Sequence, residues 1–374
     1  MSFSPHHPLV LVANNPFGHH LLTSQLLDHY CAMRLDVDII LLCNGVMLEG
    51  NQTHLRGLRV IDFSSRFGVL FSYANLLVKL VLIRLRYPHA VYHLRGFVSG
   101  LLFVISRLCL LGSARYIYDP RGAFFIEWRE ARKLRAISRI FRFVESRLVL
   151  HAQTTIVTSN RFARLYSRLF ETNGTYVTIY NSTSFAYLEG GKPVPAAGPI
   201  RLVYLGTFNE WHDMSELFRV MSHAALQLGP DRVELHIFTP RRFHDKVRDT
   251  FAKIACRKVD IDYVNYKDIP ERLSGMHVGV SIVRPTLSTR IASPIKISDY
   301  IALGLVPLLN QGVGDFDDHF RRENSAILFT YQGVLDMSNL ANVRTNPNRR
   351  IFDAVSQASA LGTLRPTVTK LLEG

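Results

Sequence analysis

The stretch Ser293-Pro-Ile-Lys-Ile-Ser-Asp-Tyr-Ile-Ala-Leu-Gly-Leu-Val-Pro307 reads as a short helix with a lysine and a carboxylate fixed at its head. Pro294 suits a first helical turn, whose backbone N–H groups lack intrahelical partners and attract anions, and Lys296 adds a full positive charge there. Asp299 follows three residues later. Gly304 is placed to close the helix, and Leu305, Val306, Pro307, Leu308 and Leu309 lead into a buried strand. A phosphate fits the head of such a helix and a sugar hydroxyl fits the carboxylate, which outlines a nucleotide-sugar site.

Working outward, short apolar runs alternate with helical patterns. Before the quoted stretch come strands at Arg201–Leu205, Val233–Phe238, Asp260–Val264 and Val278–Ile282, and a fifth is expected at Val306–Leu309. A Gly/Pro-rich break, Gly190 to Pro199, precedes them. The first half repeats the alternation: Leu9–Ala13, Asp38–Cys43, Val60–Phe63, Ala90–Leu94, Arg115–Tyr118, Thr155–Ser159 and Tyr176–Tyr180. Helical patterns lie at about Leu21–Met33, Tyr73–Arg86 and Gly100–Leu111. Alternation of this kind predicts parallel sheets covered by helices on both faces, with ligands beyond the carboxyl ends of the strands. With 374 residues, 48% of them hydrophobic, the chain can bury two cores. The expected division is an N-terminal domain over 1–190, a C-terminal domain over 191–350, and a helix in 351–374 that returns to the N-terminal domain.

Charge is uneven. The formal net charge is +14, and the half up to Gly190 holds 21 Lys and Arg against 11 Asp and Glu. Much of the excess lies between Arg129 and Arg147 on a helical pattern, which is either a solvated face or a surface resting on anionic lipid. No zinc-finger spacing and no RNA-binding signature appears, so nucleic acid is not an expected partner. Cys31, Cys43, Cys109 and Cys256 form no close pair and no metal spacing, which suits a reducing cytosol. Met1 to Pro8 lacks a basic start followed by an apolar stretch, and the apolar run Phe97–Leu111 is short and interrupted by Arg107, so a cytoplasmic protein is expected, with at most peripheral membrane contact.

Several segments share one resemblance. Leu202-Val-Tyr-Leu-Gly-Thr-Phe-Asn-Glu-Trp-His-Asp213, a strand running into a glycine turn, resembles the start of the donor domain in GT-B glycosyltransferases of the family 4 type. Val264–Leu273 with Gly275–Ile282 is similar to the loop, helix and strand that precede that family's sugar-nucleotide site. The opening stretch is similar to the variant Ser-Pro-x-Lys-x-x-Glu-Tyr-x-Ala-x-Gly-x-Pro-Val, and Gly312-Val-Gly-Asp315 to the turn after it. Tyr118-Asp-Pro-Arg-Gly122 with Glu127, Trp128 and Glu130 resembles the Asp-x-Arg-Gly segment of some members, and Glu145 with Thr158-Ser159 the linker helix and following strand.

The resemblance implies a GT-B fold, two Rossmann-like domains facing a central cleft. It also implies retaining transfer of a sugar from a nucleotide diphosphate to a glycan or lipid-linked acceptor in cell-surface polysaccharide biosynthesis, such as lipopolysaccharide or capsule, with no metal and no separate cofactor. In that scheme Lys296 holds phosphate oxygens and Asp299 accepts from ribose hydroxyls. Gly18 lets backbone approach the diphosphate, with His19 or His20 beside the transferred sugar, and Gly206 forms the donor-domain turn. Arg95, Asp119, Arg121 and Glu127 bind acceptor, or form a structural ion pair. Three departures stand out: Ile291 occupies the position of the family's first glutamate, Asp299 stands where the family has glutamate, and His212, a candidate diphosphate ligand, replaces a cation after the Gly206 turn, with Arg284 and Arg290 as candidate substitutes. A degenerate, non-catalytic binding subunit and a sugar-nucleotide epimerase of the same shape are the competing readings. The dehydrogenase Gly-x-Gly-x-x-Gly and the Gly-rich phosphotransferase loop are both absent.

Overall fold

The computed structural model describes residues 8–17, 19, 22–46, 57–110, 114–132, 135–172, 174–189, 198–209, 211–343 and 348–373. The chain divides into two compact units, Met1–Tyr180 with Gln357–Gly374, and Asn181–Ser356. The division after Tyr180 falls ahead of the Gly/Pro-rich break because Asn181 already belongs to the second unit: its N–H donates to Ser293 Oγ at 3.2 Å, and its carbonyl accepts from Ser298 Oγ at 3.0 Å.

The first unit is built on a seven-stranded parallel sheet in the order β3-β2-β1-β4-β5-β6-β7. Its strands are β1 (Leu9–Ala13), β2 (Ile39–Cys43), β3 (Leu58–Asp62), β4 (Val91–Arg95), β5 (Arg115–Asp119), β6 (Thr154–Val157) and β7 (Tyr176–Thr178). Every residue of β1, β2 and β4 is buried, as expected of strands covered on both faces. The C-terminal helix Gln357–Glu373 completes this core: Leu364, Val368 and Leu372 join Leu9, Leu11 and Tyr30 in one cluster, and Arg365 donates to the Met33 carbonyl at 2.6 Å. The pattern expected as a regular helix from Leu21 instead contains a π-helical turn, Thr23–Leu27, before the α-helix Asp28–Met33.

The second unit holds a six-stranded parallel sheet ordered β10-β9-β8-β11-β12-β13, built from β8 (Ile200–Leu205), β9 (Val233–Phe238), β10 (Lys258–Asp262), β11 (Val278–Ser281), β12 (Val306–Asn310) and β13 (Ile327–Phe329). The last strand has three residues and was not among the five expected. In both sheets the order reverses beside the first strand, between β1 and β4 and between β8 and β11, and such reversals open a crevice at the carboxyl ends of the strands.

One buried carboxyl stabilises the first unit in a pH-dependent way. Glu145, on the helix Arg135–His151, is fully enclosed, and its Oε1 accepts from Tyr118 Oη at 3.1 Å and Tyr166 Oη at 2.5 Å. Burial pushes its pKa up to about 7. A carboxyl that ionises near 7 when folded and near 4.5 when unfolded favours the fold at low pH and loses that advantage between the two values. Between pH 4.5 and 7.5 the wild type is therefore expected to lose on the order of 2–3 kcal/mol relative to Glu145→Gln, as read by urea unfolding. A constant difference across that range would refute the assignment.

Candidate functional site

The second unit brings the residues of the opening stretch to its sheet reversal. Helix Ile295–Ala302 has Pro294 at its N-cap position, and it ends in a Schellman arrangement: Gly304 at φ +69°, its N–H on the Ile301 carbonyl (3.1 Å), and the Leu305 N–H on that of Tyr300 (3.0 Å). Tyr300 fixes the helix to the sheet. Its hydroxyl accepts from the Leu205 N–H at 3.0 Å and donates to the Val280 carbonyl at 3.3 Å, so one side chain ties the helix to the ends of β8 and β11. The ring lies on Gly279, where a Cβ would stand 2.4 Å from it. The residue after Leu205 is Gly206, at φ +144°, a conformation glycine adopts readily and other residues resist.

Lys296 runs beneath that glycine. Its Nζ lies 3.0 Å from where a Gly206 Cβ would be and 4.4 Å from the centre of the Tyr204 ring. It is buried with no hydrogen-bond acceptor among the described residues, and burial pushes its pKa down to about 7. Tyr204 is held in turn by donating to the Thr207 carbonyl at 2.9 Å and by stacking on Phe208. A buried ammonium costs free energy unless something pairs with it, so this pocket is poised for an anion.

Around Lys296 the other candidates separate. His212 Nδ1 donates to Asn209 Oδ1 at 2.6 Å, an oxygen that also accepts from the Trp211 N–H. Burial, and then the Lys296 charge, push the imidazole down to about 3. His212 is therefore neutral in this state, with its proton on Nδ1 and an unprotonated Nε2. Arg284 extends from the loop after β11 and pairs with Asp213 Oδ2 at 3.4 Å. Asp213 itself caps helix Met214–Leu228 through the N–H groups of Ser215 and Glu216. Arg290 is exposed at the end of the four-residue helix Leu287–Arg290. Asp299 is buried, accepts from Thr183 Oγ1 at 2.7 Å, and is pushed up to about 7 by burial. Ile291 is buried as well, so its position belongs to the core.

In the first unit, Gly18 and His20 lie outside the described residues. His19 follows β1, and burial and then Arg95 lower its basicity. Arg95 ends β4 and Asp119 ends β5; both are buried, with Arg95 Nη1 on Asp119 Oδ2 at 3.1 Å and on the Gln25 carbonyl of the π turn at 3.3 Å. Burial takes Arg95 down to about 9, and Arg121 adds to the shift. Burial raises Asp119, yet Arg121, Arg95 and His93 together hold it below the usual carboxylate range. Arg121, at φ +64°, contributes Nη1 at 3.5 Å from Asp119 Oδ1. Glu127 lies under Gly122, where a Cβ would strike its Oε1.

Sequence reasoning missed the rest of this network. His93 Nε2 faces Asp119 Oδ2 at 3.4 Å and its Nδ1 faces Tyr30 Oη at 2.7 Å. A neutral ring donating to Asp119 and accepting from Tyr30 satisfies both contacts. His29, pushed down to about 4 mainly by burial, stands near the same charges. A histidine and an arginine inside the buried strand Val91–Arg95 were the available signal, because such residues need partners there. Asp119 and Arg95 are thus committed to each other and to the protein. Of the four expected acceptor residues, Arg121 and Glu127 are partly exposed, the Arg121 side chain at 22%.

Residues 18–182 match the model of the glycosyl transferase 4-like domain. No curated protein matches the sequence. Among solved structures, sucrose-phosphate synthase from Thermosynechococcus elongatus superposes with a TM-score of 0.65 at 16% identity, covering 98% of this chain and 95% of that one. The lipopolysaccharide outer core galactosyltransferase WaaB gives 0.64 at 9% identity, over 97% and 99%. Anabaena HepE, in complex with UDP and glucose, gives 0.62 at 15% identity, over 99% and 100%. The two parallel sheets and these superpositions show a GT-B fold, in which residues 18–182 match the glycosyl transferase 4-like domain.

Proposed function

We propose that the protein is a glycosyltransferase that uses a nucleotide-diphosphate sugar, retains anomeric configuration, and adds the sugar to a glycan or lipid-linked acceptor in cell-surface polysaccharide biosynthesis, in the cytoplasm against the inner face of a membrane. The observation that carries the reading is the buried, unsatisfied Lys296 ammonium under the Gly206 turn. When the bond from the anomeric carbon to the diphosphate breaks, negative charge grows on the leaving oxygens, and a buried lysine held in position, charged on pairing, stabilises that charge more than the ground state. Asp299 accepts from a ribose hydroxyl, Arg284 and Arg290 are the candidate cations for the diphosphate, and His212 accepts from a hydroxyl.

In the first unit, His19 is the candidate partner of the transferred sugar and Arg121 that of the acceptor. Asp119 and Arg95 hold Arg121 and the π turn in place. HepE's complex with UDP and glucose and WaaB's galactosyltransferase role support the donor class and the glycan setting.

A thermal-shift panel of nucleoside diphosphates and their sugars, followed by a hydrolysis assay, tests this. One base is expected to stand out, stabilising the protein by about 2.7 kcal/mol at a hundredfold excess over its dissociation constant, and its sugar is expected to be slowly hydrolysed. Uniformly null shifts and no hydrolysis would favour the non-catalytic binding subunit instead.

A further inference from the structure

The helix Val69–Arg86 carries apolar residues on two opposite sides. Ser72, Leu76, Leu80 and Ile83 are buried. Phe71, Val78, Leu82 and Leu85 fall on the other side, within an arc of about 60° at 100° per residue, and run about 21 Å along the axis. Together with Phe67 and Leu70 they are between 56% and 82% exposed. A contiguous apolar stripe of this kind marks a binding surface.

Charge identifies its partner. From Phe63 to Tyr118 the sequence contains no Asp or Glu and seven Lys or Arg, of which Arg84 and Arg95 are buried. Arg66 lies over the Phe67 ring at one end of the stripe and Arg86 over the Tyr87 ring at the other. A second copy would set these cations against their own kind. Anionic lipid takes the apolar stripe into its acyl boundary and the arginines at its phosphates.

The geometry points to this face, centred on helix Val69–Arg86, as the surface that docks on an anionic lipid bilayer. The inference rests on the membrane-apposed reading above and names its surface, which differs from the basic helix Arg135–His151 singled out in the sequence. It also places function near lipid: Tyr73 of the same helix accepts from Asn14, in the loop after β1 that leads to His19, at 3.3 Å.

The test uses the full chain with vesicles of neutral phosphatidylcholine and of phosphatidylcholine containing about a third phosphatidylglycerol. Wild type is expected to sediment with the anionic vesicles, weakening as salt rises. The exposed-site variant Phe71→Ser/Val78→Ser/Leu82→Ser should bind at least about tenfold more weakly with unchanged unfolding and unchanged donor hydrolysis. Arg139→Gln/Arg147→Gln should cost much less. Wild-type indifference to anionic vesicles, or a serine variant that binds as wild type, would overturn the proposal. So would a wild-type dimer that ignores vesicles and that the serine variant dissociates. Donor hydrolysis, read separately, distinguishes failure of this surface from failure of the transferase reading.

Discussion

Replacing Lys296 with methionine is expected to remove most sugar transfer while making the protein harder to unfold at neutral pH. The loss follows from deleting one charge-assisted contact to the departing diphosphate, worth roughly 1.5–3 kcal/mol, or about tenfold to two-hundredfold in kcat/KM. The gain follows from burial. Lys296 ionises near 7 in the fold and near 10.5 in the unfolded chain, so the unfolded state binds more protons between those values and wild-type stability rises with pH across that window. Below pH 7 the full penalty applies. Methionine fills similar volume without charge, so Lys296→Met should be more stable by about 1–3 kcal/mol at pH 6.5, and the advantage should shrink toward pH 10. Urea unfolding at the two pH values reads this. A variant less stable at pH 6.5 would mean that the ammonium is already satisfied in the fold.

The second large effect is expected at Gly279, outside any contact with substrate. A methyl group there would meet three atoms of the Tyr300 ring at 2.4–2.8 Å, closer than side chains approach, and the ring is fully enclosed. Gly279→Ala should therefore cost about 1–3 kcal/mol of stability through overpacking. It should also lower transfer, because Tyr300 is what ties the Lys296 helix to Leu205, directly before the Gly206 turn. Tyr300→Phe separates the two consequences: it keeps the ring and removes the tie, so it should affect kcat more than folding. If Gly279→Ala leaves both unfolding and transfer unchanged, the ring does not lock the helix.

Much of the fold was legible because buried parallel strands are short apolar runs between turn residues. Leu9–Ala13 and Val233–Phe238 match the observed strands residue for residue. β13 was missed because three residues, Ile327–Phe329, make too short a run to separate from loop. The π turn at Thr23–Leu27 leaves no periodic trace; its Gln25 carbonyl accepts from Arg95, a strand-end arginine seventy residues away. The Lys296–Asp299 spacing announced a helix head, whereas the depth of Lys296 under Gly206 depends on Tyr204 and Tyr300, and no local pattern encodes that. His212 illustrates the limit: its type suggested a cationic ligand, and Asn209 together with burial makes it a neutral acceptor.

The central claim is that Lys296 grips the diphosphate. Its most direct measurement is titration calorimetry of the preferred nucleoside diphosphate at pH 8.5, repeated in buffers of different ionisation enthalpy. Lys296 is largely neutral in the free protein at that pH, and pairing with the diphosphate restores its charge. Uptake of close to one proton per site is expected for the wild type, with none, and much weaker binding, for Lys296→Met. Equal affinity and equal proton uptake in the two proteins would contradict it.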